Sequence, residues 1–390
     1  MKAGWVAVLV LMAGCTRQPA ALPAPLVRNP LTLAGPYLDS MIADTAAPGA
    51  VLGVSINGRH FYYATGHLGV GDSTVPDSTS IYDLASLTKV IGLTTALMIA
   101  VQEHRVELDA PIQRYVPSFT GPMKNRVTVR HLLTHSSGLP AWRPLYTEAT
   151  TRIAAFALAD TTPLDTVPGT RFVYSDLGAI ILTQAVEAVY HERIDSLLQR
   201  RLFGPLGMTD TRYLPPPDWL PRIAPTENDP WRGHIIRGEV HDENASRLDG
   251  VSGHAGLFSS ARDLLHFGDW LLEGTAPGDA ESATIWPLPP ATALSFIVRQ
   301  DIPRGSSRAL GWDTPSGRSS GGDFISRRSY GHTGFTGTSI WTDPTRHLVI
   351  VLLSNRVNPT RKNEKWGPVR GQVANRVLEA LEGPAGTRER

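Results

Sequence analysis

Two residues with complementary chemistry, Ser86 and Lys89, lie in the segment Ser86-Leu87-Thr88-Lys89. Three residues make about one helical turn, so both side chains would share one face of a helix. A serine hydroxyl is a poor nucleophile unless a base lies within hydrogen-bond reach, and a lysine can serve if burial and nearby cations lower its pKa. The spacing therefore favours nucleophilic catalysis by Ser86. The alternative is a helix cap at Ser86 and a solvated Lys89.

Two further segments carry groups that such a nucleophile needs. Tyr174-Ser175-Asp176 precedes an apolar helix, and a phenol there can relay a proton. The stretch 331–338, which reads Gly-His-Thr-Gly-Phe-Thr-Gly-Thr, opens a predicted strand. Its small residues let a ligand approach the backbone, and a strand amide can contribute to an oxyanion hole. Taken singly, Tyr174 could be a packing residue and the glycine-rich strand an ordinary edge.

In this order and at this spacing, the three segments resemble the motifs of the serine β-lactamase and penicillin-binding-protein superfamily. The resemblance is to its class C-like branch and covers residues 36–385. Further matching blocks lie at 81–86, 131–139, 205–211, 238–245 and 253–258. The last blocks look closest to the penicillin-binding protein 4* type, which are bacterial envelope proteins with weak carboxypeptidase activity.

The resemblance implies roles for particular residues. Ser86 matches the acylated nucleophile, Lys89 its base partner and Tyr174 the proton-relay tyrosine. The amides of Ser86 and Phe335 would form the oxyanion hole. The substrate would be held by a second group of residues, which comprises Asp176, His332, Thr333, Gly334 and Phe335.

The implied function is a serine hydrolase that acts through an acyl-enzyme on Ser86. A D-alanyl-D-alanine carboxypeptidase-like or β-lactamase-related amide or ester hydrolase of the bacterial envelope is expected. Its substrate would be a small molecule or a peptidoglycan peptide, and no cofactor is required. The alternatives are a carboxylesterase of the same fold and a catalytically weakened penicillin-binding-like module.

Two positions depart from the family pattern. Asp176 stands where the pattern more often has Asn, and an ionised Asp only accepts hydrogen bonds. It could pair with Lys89, hold that lysine protonated and shift the proton transfer to Tyr174. His332 replaces the Lys of the Lys-Thr-Gly motif. Because histidine is only partly protonated near pH 7, we expect carboxylate binding to weaken as the pH rises. Both departures argue against efficient β-lactam hydrolysis.

Three other patterns could carry chemistry and are less favoured. Ser319 lies in a Gly-x-Ser-x-Gly pattern, but a polar loop surrounds it instead of the strand and helix of a nucleophile elbow. His131 and His135 have metal-ligand spacing but lack the adjacent Glu of a His-Glu-x-x-His site, so we expect them to fix a turn. His241-Asp242 and His254 could form a dyad, and we assign them structural roles near the site.

Composition and charge exclude several classes of protein. The chain has 390 residues, of which 42% are hydrophobic and 19% charged, which suffices for a buried core. The formal net charge of +1 argues against nucleic-acid binding, which needs a clustered basic excess. One cysteine can make neither an internal disulfide nor, alone, a metal site. We expect no metal, and the oligomeric state stays open.

The first residues predict export. Lys2 is followed by an uncharged, mostly apolar run at 5–14, which is too short to span a bilayer but suits a signal peptide. Small residues precede Cys15, and the pattern resembles the bacterial lipoprotein signal. We therefore predict a signal peptide at 1–14, lipidation of Cys15 and a Pro-rich tether at 15–35. The protein would be a membrane-anchored envelope lipoprotein, periplasmic in a Gram-negative cell. An ordinary secretory signal is the alternative.

The elements that must position these residues follow from periodicity and turn signals. Strands are predicted at 49–56 and 60–66, around Asn57-Gly58, and at 329–342 and 347–354. Helices are predicted at 36–44, 87–104, 128–134, 176–190, 194–203, 261–273 and 369–381. Strands near both ends with helices between them predict an α+β fold. Its antiparallel β-sheet would be built from N- and C-terminal segments, flanked by helices and interrupted by a largely helical insertion, in one catalytic domain at 36–390.

Overall fold

A computed structural model describes residues 28–275 and 289–383, together with Met1. The helices of the described residues are α1 (Leu31–Ala43), α2 (Thr95–Gln102), α3 (Val129–Leu133), α4 (Leu145–Glu148), α5 (Arg152–Thr161), α6 (Asp176–Tyr190), α7 (Ile194–Leu198), α8 (Glu243–Arg247), α9 (Ala261–Thr275), α10 (Pro290–Ile297) and α11 (Val369–Glu382). The strands are β1 (Gly49–Ile56), β2 (Arg59–Gly66), β3 (Ile81–Asp83), β4 (Arg212–Tyr213), β5 (Asn228–Asp229), β6 (His234–Ile235), β7 (Leu257–Ser260), β8 (Tyr330–Thr333), β9 (Ser339–Asp343) and β10 (Leu348–Ser354). One-turn 3-10 segments lie at Ala85–Leu87, Ile112–Arg114 and Lys124–Arg126, a longer one at Pro217–Arg222, and π-helical segments at Lys89–Thr94 and Gln199–Phe203.

The main sheet joins the two ends of the domain. Its five antiparallel strands run in the order β2-β1-β10-β9-β8, and the β1–β10 register pairs Val51 with Leu353. A smaller sheet has the order β3-β7-β4, and helices α2 to α8 lie between β3 and β7 in the chain. The predicted class is therefore confirmed: an α+β fold whose sheet comes from both terminal segments, with flanking helices and a largely helical insertion.

The first hairpin forms for the reason that its turn sequence predicts. Asn57 and Gly58 have φ values of 52° and 72°, and two consecutive positive φ angles are what a type I′ turn between twisted strands requires. The turn sets Ile56 opposite Arg59. The predicted pair of strands at this position is confirmed.

Successive side chains of the central strands point alternately into two separate hydrophobic layers. Leu52 of β1 belongs to a cluster with residues of α1 and α11, including Leu38 and Val377. Val51, its neighbour, faces the opposite layer, where it clusters with Leu265 of α9 and the insertion helices. Because successive side chains of a strand point to opposite faces, a strand covered on both faces is apolar throughout, as β1 is.

The helix that follows the predicted nucleophile is the centre of the helical region. Among the described residues, one stretch, Ala85–Gln102, is long and apolar enough to cross a membrane by length and composition, and 83% of it is buried inside the fold. Leu97 and Met98 are fully enclosed. Burial against other helices accounts for its apolar composition.

The strand predicted at 329–342 is wrong as a single element. The chain forms β8 and β9 there, joined by a tight turn in which the Gly334 N–H donates to the Thr338 carbonyl at 2.8 Å. Gly337, with φ of 125°, supplies a backbone conformation that other residues rarely adopt. The apolar and small residues continue through the turn, so composition alone does not reveal it.

The predicted start of the first helix is also wrong. Helix α1 begins at Leu31 rather than at residue 36, so residues 31–35 of the predicted tether are helical. Ala34 and Leu38 are buried in the same cluster as α11, and this packing outweighs the backbone hydrogen bond that Pro36 cannot donate. Cys15 and the predicted cleavage site after residue 14 lie outside the described residues.

A glycine contact between α9 and the main sheet gives a stability test. A Cβ at Gly268 would lie 2.5 Å from Val349 Cγ1 of β10. Gly268→Ala should therefore lower the free energy of unfolding by about 1 kcal/mol or more, because overpacking exceeds the gain in helix propensity. Denaturant unfolding would measure it. Gly274→Ala in the same helix, whose Cβ would meet Ala293 Cβ at 3.3 Å, should be close to neutral. Equal losses in both variants would contradict this packing argument.

Candidate active site

The predicted nucleophile lies in a strained segment directly after β3. Ser86 is in the 3-10 turn Ala85–Leu87, and Ala85 has a φ of 47°, which is costly for a residue with a Cβ. The buried carboxylate of Asp83 accepts the Ala85 N–H at 2.7 Å and the His241 N–H at 2.6 Å. These hydrogen bonds hold the strained backbone that presents Ser86.

Lys89 is brought to Ser86 as the one-turn spacing predicts. Its Nζ donates to Ser86 Oγ at 3.0 Å and to the carbonyl of His254 at 3.0 Å, and it lies 2.7 Å from Asp176 Oδ1. Lys89 itself is only 3% exposed. The amine is therefore enclosed by three segments that are remote from one another in the chain.

The ion pair expected between Asp176 and Lys89 is present, and it determines the charge of the lysine. Burial by itself would lower the pKa of the Lys89 ammonium, but the interactions with Asp176 and Tyr174 outweigh burial and raise that pKa above its usual value. Lys89 is thus a cation at neutral pH. It can donate hydrogen bonds and stabilise negative charge, but it cannot accept the proton of Ser86.

Tyr174 lies beside this cation, just before α6. The Lys89 Nζ is 5.0 Å from the centroid of its ring, which packs against His135 at 4.5 Å and His332 at 5.8 Å between centroids. Its hydroxyl is buried, and its interaction with Lys89 contributes to the raised pKa of that ammonium. A phenol held beside a cation in this way can take part in proton transfer.

The turn after β8 lies against the nucleophile segment. The hydroxyls of Thr336 and Thr338 donate to the carbonyls of Asp83 and Leu84 at 2.7 and 3.0 Å. A Cβ on Gly334 would be 2.4 Å from the Leu84 carbonyl oxygen, so only glycine permits this approach.

The other predicted residues of the same strand line the site. Thr333, Gly334 and Phe335 all border a cavity that contains Ser86. Among the described residues, the Phe335 N–H has no hydrogen-bond acceptor, and the Phe335 side chain is 48% exposed. The expected pair of oxyanion-hole amides, from Ser86 and Phe335, is thus placed in one cavity.

His332 borders the cavity with Ser86 as predicted, but its surroundings do not favour the pH dependence expected of it. Its side chain is enclosed, and its Nδ1 lies 2.8 Å from the Thr333 carbonyl. Burial, followed by the charges of Arg308 and Lys89, holds the pKa of His332 well below its usual range. These surroundings favour the neutral imidazole, so a charge on His332 is not expected to govern carboxylate binding.

Arginines that the sequence patterns did not single out supply the positive charge instead. A cavity of about 740 Å³ opens beside Ser86, and its charged lining residues are Arg308, Asp313, Arg356, Arg361, Lys362, Glu364 and Arg370. One sequence feature points to Arg370. It is a basic residue in the first turn of a predicted helix, where a positive charge interacts unfavourably with the helix dipole. The remaining arginines stand singly, in no recognisable motif.

A second cavity, of about 260 Å³, shares Ser86, Tyr174, Phe335 and Arg361 with the first. Asp242 and His254 lie in its wall, with the His254 Nε2 2.8 Å from Asp242 Oδ1. Because the His254 carbonyl also accepts from Lys89, this pair lies next to the site as expected. The role inferred from the sequence, scaffolding rather than catalysis, remains a prediction.

The other candidate groups have structural surroundings. Ser319 Oγ accepts the Gly321 N–H in a bend, with no helix following it. Imidazole nitrogens of His131 and His135 accept backbone N–H groups at 3.2 and 3.1 Å, as expected of residues that fix turns. No group of three or more metal-ligating side chains occurs within the described residues.

Comparisons with known proteins show the family and agree with the fold. A family profile described as beta-lactamase matches residues 37–375. The chain is 33% identical over 308 residues to an Escherichia coli K12 protein named "Putative D-alanyl-D-alanine carboxypeptidase", covering 71% of this chain and 69% of that protein. A class C beta-lactamase from Rhodobacter sphaeroides has a TM-score of 0.69 at 23% identity, covering 89% and 98% of the two chains. A penicillin-binding-protein homologue from Caulobacter crescentus has a TM-score of 0.73 at 16% identity, covering 92% and 99%.

Replacing Asp176 tests its control over the lysine charge. Removing the carboxylate takes away the largest interaction that opposes burial, so the pKa of Lys89 should be lower in Asp176→Asn than in the wild type. NMR titration of protein labelled at lysine Cε would measure it. Glu243→Gln, which removes a carboxylate from the second cavity, should leave the Lys89 titration in place. A Lys89 pKa that is the same in Asp176→Asn and in the wild type would contradict the assignment.

Proposed function

Because this chain belongs to the beta-lactamase family, we propose that it is a serine hydrolase that forms an acyl-enzyme on Ser86. One observation carries the proposal. Ser86 Oγ lies 3.0 Å from the Lys89 ammonium where two cavities meet, and both cavities are bordered by Phe335, whose N–H has no acceptor among the described residues. A nucleophile, a cation and an oxyanion-hole donor thus converge on one point.

The charge of Lys89 decides how the proton moves in the proposed reaction. The Ser86 oxygen forms a bond to the substrate carbonyl carbon, and the carbonyl oxygen becomes negative. The serine proton passes to the Tyr174 oxygen, which gives its own proton to the leaving nitrogen as the C–N bond breaks. Lys89, kept cationic by Asp176, stabilises the charge that develops on the Ser86 oxygen.

Deacylation repeats this exchange with water. The water oxygen bonds to the acyl carbon, and a water proton passes to Tyr174 while the Tyr174 proton returns to the Ser86 oxygen. The ester bond to Ser86 then breaks and the carboxylic acid leaves. The groups needed are Ser86 and Tyr174, which line both cavities, and Lys89 with its partner Asp176.

We propose a peptide ending in D-Ala-D-Ala as the substrate class, which is the specificity named for the Escherichia coli relative. Such a substrate has a carboxylate next to the scissile amide. Arg308 offers the complement: its Nε and Nη1 atoms are buried without hydrogen-bond partners among the described residues, its Nε is 3.7 Å from Asp313, and it borders the cavity with Ser86. A carboxylate bound in this cavity would pair with the charge of the Arg308 guanidinium.

A weakened penicillin-binding-like module is the second candidate. The Lys89–Asp176 ion pair favours it, because a lysine held as an ammonium ion is not a general base. A carboxylesterase would use the same Ser86 but would have no need of the unpaired Arg308 donors. Turnover of p-nitrophenyl butyrate, nitrocefin and a diacyl-D-Ala-D-Ala peptide separates the three functions.

Covalent labelling tests the nucleophile. Intact-mass measurement after incubation with a fluorescent penicillin or an alkyl phosphonate should show one adduct, which peptide mapping places on Ser86. Ser86→Ala should abolish it, while Ser319→Ala should react like the wild type, because Ser319 lies in a bend outside both cavities. Absence of any adduct, under conditions in which a known relative reacts, would refute the proposed function.

Replacing Arg308 tests recognition of the carboxylate. Arg308→Gln should raise the KM for a diacyl-D-Ala-D-Ala peptide by about 10- to 100-fold, since a hydrogen bond between charged groups contributes about 1.5–3 kcal/mol. Hydrolysis of p-nitrophenyl butyrate, which has no carboxylate, should change little. Arg299→Gln is the matched control, because Arg299 donates to Thr314 Oγ1 at 2.6 Å and is not part of the cavity lining. A peptide KM that is the same in Arg308→Gln as in Arg299→Gln would rule out this role.

A further inference from the structure

We infer that Arg370 is a positioning residue for catalysis: its guanidinium orients and polarises the peptide unit whose N–H forms half of the oxyanion hole. The inference rests on the proposed function, since an oxyanion hole has meaning only if Ser86 attacks a carbonyl. It concerns a residue on α11, which is remote in the chain from Ser86, Lys89 and Tyr174.

The contact is made to one particular peptide unit. Arg370 Nη2 donates to the Gly334 carbonyl oxygen at 2.7 Å, and Arg370 Nε donates to the Thr338 carbonyl at 3.2 Å. The Gly334 carbonyl and the Phe335 N–H belong to the same planar peptide group. A hydrogen bond to that carbonyl therefore fixes the direction in which the Phe335 N–H points.

The charge of the arginine adds to this geometric effect. Hydrogen bonds from a cation are about twice as strong as neutral ones, and a polarised carbonyl makes the N–H of its own peptide a better donor in a chain of hydrogen bonds. The carbonyl oxygen of the substrate becomes negative only during the reaction. A stronger Phe335 donor would thus stabilise the transition state more than the bound substrate.

The surroundings of Arg370 indicate that this charge is retained at a cost. Within the described residues, Arg370 has no carboxylate partner within 4 Å, and the contacts of its guanidinium are backbone carbonyls. Burial, followed by the charge of Arg356, lowers the pKa of Arg370 to about 10, so it stays protonated at neutral pH. It also lies in the first turn of α11, where a cation opposes the helix dipole.

Holding the turn after β8 in place would not by itself require the positive charge of Arg370. The Gly334 N–H already donates to the Thr338 carbonyl at 2.8 Å, and the Trp366 indole donates to the Gly337 carbonyl at 2.7 Å. The hydroxyl of Thr338 attaches the turn to the nucleophile segment. Hydrogen bonds between uncharged groups thus already hold the turn in place. The guanidinium adds a hydrogen bond to the carbonyl of the peptide group that contains the Phe335 N–H.

Arg356 contacts the same turn and provides a matched comparison with Arg370. Its Nε donates to the Phe335 carbonyl at 2.9 Å, and it too has only backbone carbonyls as hydrogen-bond acceptors among the described residues. The Phe335 carbonyl, however, shares its peptide group with the N–H of Thr336. The two arginines thus differ in which N–H they polarise.

The experiment compares Arg370→Met, Arg370→Lys and Arg356→Met with the wild type. It measures kcat and KM for the substrate that the wild type turns over, and Ki for a boronic acid, which forms a tetrahedral anionic adduct on the serine. Arg370→Met should lower kcat by about 10- to 100-fold with little change in KM, and should raise the boronate Ki by a similar factor. Arg370→Lys should recover part of both effects. Any loss in Arg356→Met should lie mainly in KM.

The outcomes separate this inference from the proposed function. If the wild type shows neither turnover that depends on Ser86 nor boronate binding, the proposed function fails and the inference falls with it. If the wild type is active but Arg370→Met changes KM alone, or lowers kcat no more than Arg356→Met does, the inference is overturned and the function stands. Thermal unfolding shows whether Arg370→Met folds. If it does not, Arg370→Lys is compared with Arg356→Lys, again by kcat and KM and by the boronate Ki.

Discussion

The buried ammonium of Lys89 is the charge that the centre of this molecule has to accommodate. Removing a lysine charge from water costs several kcal/mol unless partners surround it, and here the partners are Ser86, Asp176 and the carbonyl of His254. They come from the nucleophile segment, the start of α6 and the segment before β7. Satisfying one cation therefore fixes the positions of three parts of the chain relative to one another.

The proposed oxyanion hole depends on a similar convergence. Hydroxyls of Thr336 and Thr338 join the turn after β8 directly to the carbonyls before Ser86, so the two expected hole amides belong to segments that are bonded together. The absent side chain at Gly334 lets them approach. Arg370 completes the turn from the side of α11. The hole is thus held by contacts between the first and last thirds of the chain.

Overall charge conceals a strong local imbalance. The chain has a formal net charge of +1, yet the cavity beside Ser86 is lined by several cations, of which Arg356 and Arg370 have no carboxylate within 4 Å in the described part of the chain. Such a cavity favours anionic ligands. Burial, followed by the charges of Arg308 and Lys89, holds the pKa of His332 well below its usual range. Positive charge at this site is therefore permanent, since it comes from arginine and lysine rather than from histidine.

The sequence by itself determined what depends on short spacing. Neighbours within a few residues determine two features: the approach of Lys89 to Ser86 and the hairpin at Asn57-Gly58. The order of the elements determines the α+β class. The pairing of Lys89 with Asp176 was also predictable, because the family resemblance brings those positions together.

Only the tertiary structure decided the protonation of His332, the arginines at the cavity and the turn that divides residues 329–342. It also moved the start of α1 to Leu31, where packing against α11 outweighs the effect of a proline. Burial and electrostatic environment are set by residues that are distant in the chain. Local sequence therefore predicts which groups can react, whereas their charge and partners arise when the fold brings them together.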